Sequence, residues 1–255
     1  MSSSPVPLLH GRAVVITRPA GTGASLARRV RALGGRPLLL PGLSLHAIGD
    51  GATRAALLRA LRAEVVVFTS PAAVRYAAAL APIPAGCVAV GVGQGTARAL
   101  RRAGIAAPLA PARQDSEGVL ALPALQSLTG RPVALVGAAG GRGLLRETLV
   151  ARGARLDEVH VYTRAAPRLD RRHIAAVRAL PADARVLLSS AEALHNLARS
   201  LPPEAWAVLK RAVVVVSSER LAEAARIAGF SRMALARSAG ATDLLAAAGG
   251  DFTLP

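Results

Sequence analysis

The sequence is poor in aromatic residues, cysteine and lysine, and each scarcity excludes a class of protein or site. Only 3 Phe, 2 Tyr and 1 Trp occur among 255 residues, which leaves little with which to stack single-stranded nucleic acid bases. The single cysteine, Cys87, excludes an internal disulfide and a cysteine-built zinc site, and it agrees with a reducing cytoplasm. Because Lys210 is the only lysine, a phosphate-binding P-loop is excluded as well.

Long hydrophobic runs are also missing. No apolar run reaches the roughly 18 residues that span a bilayer, and residues 1–12 lack a basic start followed by an apolar stretch. We therefore expect a cytoplasmic protein that neither enters a membrane nor is exported. Hydrophobic residues make up 52% of the chain and charged residues 18%, which is typical of a folded protein of one large or two small domains.

The charge is strongly of one sign. The formal net charge is +17, and nearly all of the positive charge is arginine. Such a field attracts polyanions, namely nucleic acid, an anionic membrane or a small substrate with many carboxylates. The arginines are spread along the chain rather than gathered into the blocks typical of nucleic-acid tails, and a GC-rich coding bias is an alternative explanation.

The hydrophobic pattern predicts an α/β protein. Short β-branched runs alternate with longer alanine- and leucine-rich stretches of helical period, as in βα units around a parallel sheet. The predicted strands are residues 13–17, 36–40, 65–69, 87–90, 133–136, 159–162, 186–189 and 213–217.

An internal repeat predicts the domain organisation. Residues 65–74 resemble residues 185–194, and residues 88–91 resemble residues 213–216, each at an offset of about 120 residues. The opening strand-helix-strand segment is separated from the rest of its copy. We therefore predict a discontinuous α/β domain of residues 1–38 plus 166–255, and an inserted α/β domain of residues 41–160. Two linkers, residues 38–45 and 159–165, would run side by side between these domains.

The loops that follow the predicted strands are rich in glycine and hydroxyl residues. They comprise residues 17–19, 69–71, 91–96, 137–142, 189–190 and 217–218. Ligands of parallel α/β sheets bind beyond the carboxyl ends of the strands, where such loops donate hydrogen bonds to anionic oxygens. The loops predict an anion-binding cleft between the two domains. The alternative is that each serine or threonine only caps the helix that follows it.

Motifs for cofactors and conventional catalysis are absent. The glycines at 91, 93 and 95 do not have the spacing of a dinucleotide-binding loop. The five histidines are scattered without metal-ligand or triad spacing, and the carboxylates form no evident acid/base pair. We expect no cofactor and no metal.

Five short segments occur together in the order found in one known family. They are residues 14–19 (VVITRP), 68–74 (FTSPAAV), 89–104 (with AVG and GTARAL), 153–164 (ending VYTR) and 188–190 (LSS). Together they resemble the uroporphyrinogen-III synthase family. The resemblance implies two α/β domains joined by a two-stranded linker, with the active site in the cleft between them. It also implies a substrate, hydroxymethylbilane, which is a linear tetrapyrrole with eight carboxylates.

The implied activity is that of a cyclising hydro-lyase. Loss of water from the terminal hydroxymethyl group would give an azafulvene, which the far pyrrole attacks through a spiro intermediate, so that the last ring is inverted. Free substrate closes without inversion to the type I isomer. The protein's task would therefore be to impose a conformation and to assist the departure of hydroxide.

The resemblance points to Tyr162 and Thr96 as site residues, and the loops and the internal repeat supply the others. Tyr162, in the second linker, is the predicted catalytic acid, with packing of its ring as the alternative. The predicted substrate-binding residues are Thr17, Arg18, Ser70, Thr96, Gly140, Gly141, Arg142, Ser189, Ser190 and Ser218. Where some relatives carry Gly-Pro-Thr-Thr, this chain has Ser217-Ser218-Glu219-Arg220, which leaves the roles of Ser218 and Arg220 open.

Two other functions compete with this interpretation. A DNA-binding regulator would use the basic surface, but no helix-turn-helix pattern is evident. A two-domain small-anion-binding protein without catalysis would share the cleft and the linker. We expect a monomer that binds a small polycarboxylate, with no nucleic-acid or membrane partner.

Overall fold

The chain divides into two compact units. The computed structural model describes residues 8–113, 116–140 and 143–250. Unit 1 comprises Met1–Leu45 and Ala165–Pro255, and unit 2 comprises His46–Arg164. The first unit is therefore discontinuous in sequence, and the second is inserted into it.

Strands and helices alternate along most of the chain. The strands are β1 (Ala13–Ile16), β2 (Arg36–Leu39), β3 (Ser44–Ala47), β4 (Val65–Phe68), β5 (Val88–Gly91), β6 (Pro132–Gly137), β7 (Arg155–His160), β8 (Tyr162–Ala165), β9 (Arg185–Leu187), β10 (Val213–Val216) and β11 (Met233–Leu235). The helices are α1 (Ala24–Ala32), α2 (Gly51–Ala60), α3 (Pro71–Leu80), α4 (Gln94–Arg102), α5 (Ser116–Leu120), α6 (Leu144–Ala151), α7 (Arg171–Arg178), α8 (Ala191–Ser200), α9 (Pro203–Arg211), α10 (Glu219–Ile227) and α11 (Ala241–Gly249), and Pro123–Leu125 forms a 3₁₀ turn.

Each unit is built on its own parallel sheet. In unit 1 the strand order is β11-β10-β9-β1-β2, and in unit 2 it is β5-β4-β6-β7. Every assigned strand pair in these two sheets is parallel. A separate two-stranded sheet pairs β3 with β8, at the two places where the chain passes from one unit to the other. The predicted fold class is confirmed.

The sheet of unit 1 is buried on both faces, which explains its continuous apolar strands. Val15 and Val214 lie in one hydrophobic cluster with Leu194 and Leu209. Their neighbours in sequence point to the other face, where Val14 packs in a cluster that includes helix residues of α1 and α11. Strand β10 of this sheet, with the sequence VVVV, is buried at every position. The same holds in unit 2 for β4, with the sequence VVVF.

A buried arginine holds the end of α11 in unit 1. Arg185 is 3% exposed. Its Nε donates to Ala248 O at 3.0 Å, its Nη1 to Asp183 O at 2.7 Å and its Nη2 to Gly250 O at 3.3 Å. Arg12 Nη1 donates to Gly249 O at 3.2 Å. Carbonyls at a helix C-terminus lack partners within the helix, and guanidinium groups supply them here.

Some predicted elements differ from the observed ones. The strand predicted at residues 159–162 is replaced by the end of β7 and the start of β8, because the apolar residues there belong to two strands that meet at Val161. Strand β11 and helix α9 are not predicted by the hydrophobic pattern. No helix within the described ranges is long and apolar enough to cross a membrane.

Candidate functional site

In unit 2 the loops after three neighbouring strands lie at one edge of the sheet. The register aligns Phe68 at the end of β4 with Gly91 in β5 and Val136 in β6. Beyond this row the chain continues into Thr69-Ser70, Val92-Gly93 and Ala138-Ala139-Gly140. The approach is close, since a Cβ on Gly137 would lie 2.4 Å from Thr69 Oγ1. The predicted loops of unit 2 are therefore brought together.

Tyr162 contacts this edge through its hydroxyl. The residue begins β8 and is 6% exposed. Its Oη lies 3.0 Å from Ser70 Oγ, and either atom can be the donor. Ser70 also caps α3, where its Oγ accepts the Ala73 N–H at 3.0 Å. Two residues predicted separately are thus hydrogen-bonded to each other.

The ring of Tyr162 packs against Tyr76, which no sequence motif marks as a site residue. The rings of Tyr76 and Tyr162 are stacked, with centroids 5.2 Å apart and an interplanar angle of 21°. The Arg75 guanidinium lies over the Tyr76 ring, with its carbon 4.8 Å from the centroid. The two tyrosines of the chain therefore form one pair, and a positive charge lies beside it.

Thr96 is buried at the start of α4. It is 3% exposed and is the third residue of the helix, which Gly93 begins as N-cap. The alternative that Thr96 is itself an N-cap is therefore wrong. A Cβ on Gly91 would lie 2.9 Å from both Ala97 N and Thr96 Cβ, so this glycine permits the close approach of α4 to the end of β5.

We predict that Gly91→Ala destabilises the protein. The added methyl group meets helix backbone, which cannot move aside cheaply, so the free energy of unfolding should fall by about 1–3 kcal/mol. Urea unfolding followed by circular dichroism measures this change. The matched control is Gly95→Ala, four residues on, where the nearest atom outside the helix is Pro71 Cγ at an ordinary 3.6 Å. Equal midpoints for the two variants would contradict the prediction.

The glycine loop after β6 is tied to β8. Arg164 Nη2 donates to Ala139 O and to Gly140 O, both at 2.7 Å. Gly140 has φ +76°, a conformation that favours glycine. Tyr162 and Arg164 are two residues apart on β8 and so share one side of the strand. Gly141 and Arg142, both predicted site residues, lie outside the described residues.

In unit 1 the predicted hydroxyl residues at the ends of β1 and β9 bind each other. Thr17 is fully buried, and its Oγ1 donates to Leu187 O at 2.9 Å and accepts the Ser189 N–H at 3.0 Å. Ser189 Oγ donates to Thr17 O at 3.0 Å. The Thr17 hydroxyl therefore joins two strands, whereas Ser189 is an exposed residue. The neighbouring Arg18 is half-buried.

The capping alternative holds for two further serines of unit 1. Ser190 Oγ accepts the Ala193 N–H at the start of α8, at 3.1 Å, and Ser218 Oγ accepts the Leu221 N–H at the start of α10, at 3.3 Å. Ser190 is half-buried and Ser218 exposed, and Arg220 is an exposed residue in the first turn of α10. A capping serine still keeps its own O–H and one acceptor site. Substrate contact by these residues stays a prediction.

The part of the chain that the structure describes holds no group of three or more His, Cys, Asp or Glu side chains that could bind a metal ion. Several carboxylates are paired with arginines, and others cap helices. The pKa of the Asp50 carboxyl lies below its ordinary value because it accepts the Thr53 N–H at the start of α2. The residues described at the unit 2 site present hydroxyls, peptide groups and guanidinium ions, all of which are groups that can donate hydrogen bonds to an anion.

A family model and two curated relatives that match this chain carry the same name. The family model described as "Uroporphyrinogen-III synthase HemD" matches residues 24–246. Over 252 aligned positions the chain is 34% identical to the uroporphyrinogen-III synthase of Salmonella typhimurium, which covers 92% of this chain and 98% of that protein. The protein of the same name from Escherichia coli is 32% identical over 251 positions, with the same coverage.

Solved structures show the same fold. The uroporphyrinogen-III synthetase of Helicobacter pylori matches with a TM-score of 0.60 at 14% identity, covering 92% of this chain and 96% of that one. A mutant uroporphyrinogen III synthase from Thermus thermophilus matches with a TM-score of 0.59 at 20% identity and the same coverage.

Proposed function

The chain belongs to the uroporphyrinogen-III synthase family, enzymes of tetrapyrrole biosynthesis, and on that premise we propose that it acts as a hydro-lyase that cyclises hydroxymethylbilane to uroporphyrinogen III. The observation that carries the proposal is the 34% identity to a relative of that name over nearly the whole length of both chains. The experiment that tests it is incubation with hydroxymethylbilane, followed by oxidation and separation of the uroporphyrin isomers.

The proposed reaction exchanges one C–O bond for one C–C bond. The terminal hydroxymethyl C–O bond breaks while an acid protonates the leaving oxygen, and the adjacent pyrrole loses its N–H proton to become an azafulvene. The substituted carbon of the far pyrrole attacks the exocyclic carbon. In the resulting spiro intermediate the bond from the substituted carbon to the methylene bridge of the neighbouring pyrrole breaks, and the free α-carbon of the inverted ring bonds to the same methylene and loses its proton. The first pyrrole nitrogen takes back a proton, so the net change is the release of one water. Enforcing this conformation accounts for the difference from spontaneous closure.

Tyr162 is the proposed acid. Its phenol carries one proton on a rigid, buried ring, and Ser70 Oγ lies 3.0 Å from its oxygen. A positioned acid contributes roughly 10²- to 10⁴-fold to the rate of such a step. The adjacent loops contain no carboxylate at positions 69–71 or 91–96, so no side-chain acid of that kind competes within them.

Carboxylate binding is assigned to the hydroxyl- and glycine-bearing loops. Supporting residues are Ser189 and Ser218, which are exposed, and Gly140, whose loop is held in place by Arg164. We extend the proposal to Arg18, Thr96, Ser190, Gly141 and Arg142. The hydroxyl of Thr17 is occupied in joining β1 to β9, so this residue is assigned a supporting role.

The proposed working form is a cytoplasmic monomer that needs no cofactor and binds no nucleic acid or membrane. The single cysteine supports the cytoplasmic location, because a reducing compartment disfavours disulfides. A small polycarboxylate substrate accounts for the net charge of +17 without a nucleic-acid or membrane partner. Metal chemistry is not required by the reaction, since its steps are acid-assisted C–O bond cleavage, proton transfer and carbon-carbon bond rearrangement.

We predict that the KM for hydroxymethylbilane rises several-fold between low and high salt. The net charge of +17 attracts a substrate with many carboxylates, and salt screens this attraction over about 8–10 Å at physiological ionic strength. Initial rates at a series of NaCl concentrations give KM and kcat separately. The kcat should change little, because it is measured with the substrate already bound, when long-range attraction no longer contributes. A KM that is constant across the series would contradict the electrostatic attraction of substrate.

A further inference from the structure

Two residues of the α3 segment contact Tyr162, one at its hydroxyl and one at its ring. Ser70, the N-cap, contacts the phenol oxygen, and Tyr76, six residues later, stacks on the ring. Tyr162 lies 92 residues from Ser70 in the sequence, so the contact depends on the tertiary fold. A ring that is 6% exposed and held at its edge and at its face has little freedom to turn.

The hydrogen bonds at Ser70 favour one direction of donation. A serine hydroxyl has one hydrogen to donate and two sites that accept. Ser70 Oγ already accepts the Ala73 N–H at 3.0 Å, which polarises its own O–H bond and makes it a better donor. When Ser70 donates to Tyr162 Oη, the phenol hydrogen stays available for a third group.

The same arrangement supports the phenol after it has lost its proton. The Ser70 O–H would then donate to a phenolate, and hydrogen bonds to ionised acceptors are roughly twice as strong as neutral ones. The N-terminus of α3 begins directly after Ser70, and its dipole also favours negative charge nearby. Both effects lie on helix α3 and act at the Tyr162 oxygen.

We propose that Ser70 and Tyr76 are positioning residues that act through Tyr162: Ser70 directs the phenol proton towards the leaving hydroxyl of the substrate, and Tyr76 fixes the plane of the ring. This inference rests on the proposed function and on the role of Tyr162 as acid. It assigns to Ser70 a role different from the substrate binding that its position in the loop predicts, and it adds Tyr76 to the site.

The test of Ser70 is a double-mutant cycle with Tyr162. Ser70→Ala should lower kcat about 10-fold with little change in KM, the size expected for one hydrogen bond to the reacting group. In a Tyr162→Phe background the same change should cause no further fall, because a residue that acts through Tyr162 has nothing left to act on. Ser70→Thr keeps a capping hydroxyl and should restore most of the lost kcat.

A control separates this effect from the loss of a helix cap. Asp50 caps α2 in the same unit through the Thr53 N–H at 2.7 Å. Asp50→Ala therefore removes an N-cap without touching Tyr162, and it should leave kcat unchanged. Equal falls in kcat for Asp50→Ala and Ser70→Ala would overturn the inference, since stability alone would then explain both.

Tyr76 is tested by removing its ring or only its hydroxyl. Tyr76→Leu should lower kcat about 2- to 10-fold, which corresponds to the loss of one aromatic pair, and KM should stay within a factor of about 2. Tyr76→Phe keeps the stack and should bring kcat back to within a factor of about 2 of wild type. A Tyr76→Leu variant that changes KM alone would overturn the positioning role.

The outcomes distinguish this inference from the proposed function. If the wild-type protein gives only the spontaneous type I product, the proposed function fails and the inference fails with it. If the wild type forms the type III isomer but Ser70→Ala lowers kcat equally with and without Tyr162, only the inference fails, because Ser70 would then act on the substrate directly.

Discussion

Replacing Tyr162 by phenylalanine should lower kcat for hydroxymethylbilane by roughly 10²-fold or more, the range assigned to a positioned acid. The substitution keeps the ring and its stack on Tyr76 and removes only the hydroxyl that lies 3.0 Å from Ser70 Oγ. KM should change little, because the phenol assists departure of the leaving group rather than binding of the carboxylates. Steady-state kinetics at saturating substrate measure the effect.

The product of the Tyr162→Phe variant gives a second readout. Because spontaneous closure continues at its own rate, the slower variant should yield a larger share of the type I isomer. The control is urea unfolding, in which the variant should have nearly the midpoint of the wild type, since one hydrogen bond contributes about 1 kcal/mol. A variant with wild-type kcat would make Tyr162 a packing residue and leave the hydroxyl loops as the groups that assist the departure of hydroxide.

Replacing Arg185 by methionine should lower the free energy of unfolding by about 3 kcal/mol, because three backbone carbonyls lose a charged donor in a site that is 3% exposed. Methionine fills much of the same volume, so the lost hydrogen bonds dominate the change. Far-UV circular dichroism in a urea series measures the midpoint and the slope.

The matched control for Arg185 is Arg178→Met in the same unit. The Arg178 side chain is 51% exposed and is paired with Glu204 on the surface. Exposed ion pairs contribute little to stability, so the unfolding midpoint should stay close to that of the wild type. If the two methionine variants unfold at the same urea concentration, Arg185 does not hold the end of α11.

Buried parallel strands were the part of the fold most readily predicted. Strands β4 and β10 are runs of valine, ended by Phe68 in β4, because both faces of each sheet are covered. Strand β11 was missed because its Met-Ala-Leu sequence is short and partly exposed at the edge of the sheet. Helix α9 was missed although Pro203 at its first position and Lys210 in its last turn are ordinary helix signals.

The boundary between β7 and β8 could not be predicted from the hydrophobic pattern of the sequence. Most of β7 is polar and partly exposed, as in its Arg155-Leu156-Asp157-Glu158 stretch, so the apolar residues around Val161 were assigned to one strand. The boundary between the two strands is set by their hydrogen-bonding partners and not by hydrophobicity. Strand β7 pairs with β6 from Arg155 to His160, and β8 leaves that sheet to pair with β3.

The sequence predicts which residue types lie at the candidate site, but it does not predict which of these residues contact each other. Ser70, Ser190 and Ser218 occupy equivalent positions before helices, and each one caps its helix, so sequence cannot tell a cap from a ligand group. The contact between Ser70 and Tyr162 joins the N-cap of α3 to the start of β8, 92 residues later in the chain, and no local sequence pattern records it. Tyr76 had one available signal: it is one of only 2 tyrosines in the chain.

The measurement that tests the central claim most directly is the isomer ratio of uroporphyrin formed from freshly prepared hydroxymethylbilane. Parallel reactions with wild-type protein, with the Tyr162→Phe variant and without protein are stopped at short times, oxidised and separated by chromatography. The account predicts mainly the type III isomer with wild type, formed much faster than the type I isomer appears without protein. Type I isomer alone, at the rate of the protein-free reaction, would contradict it.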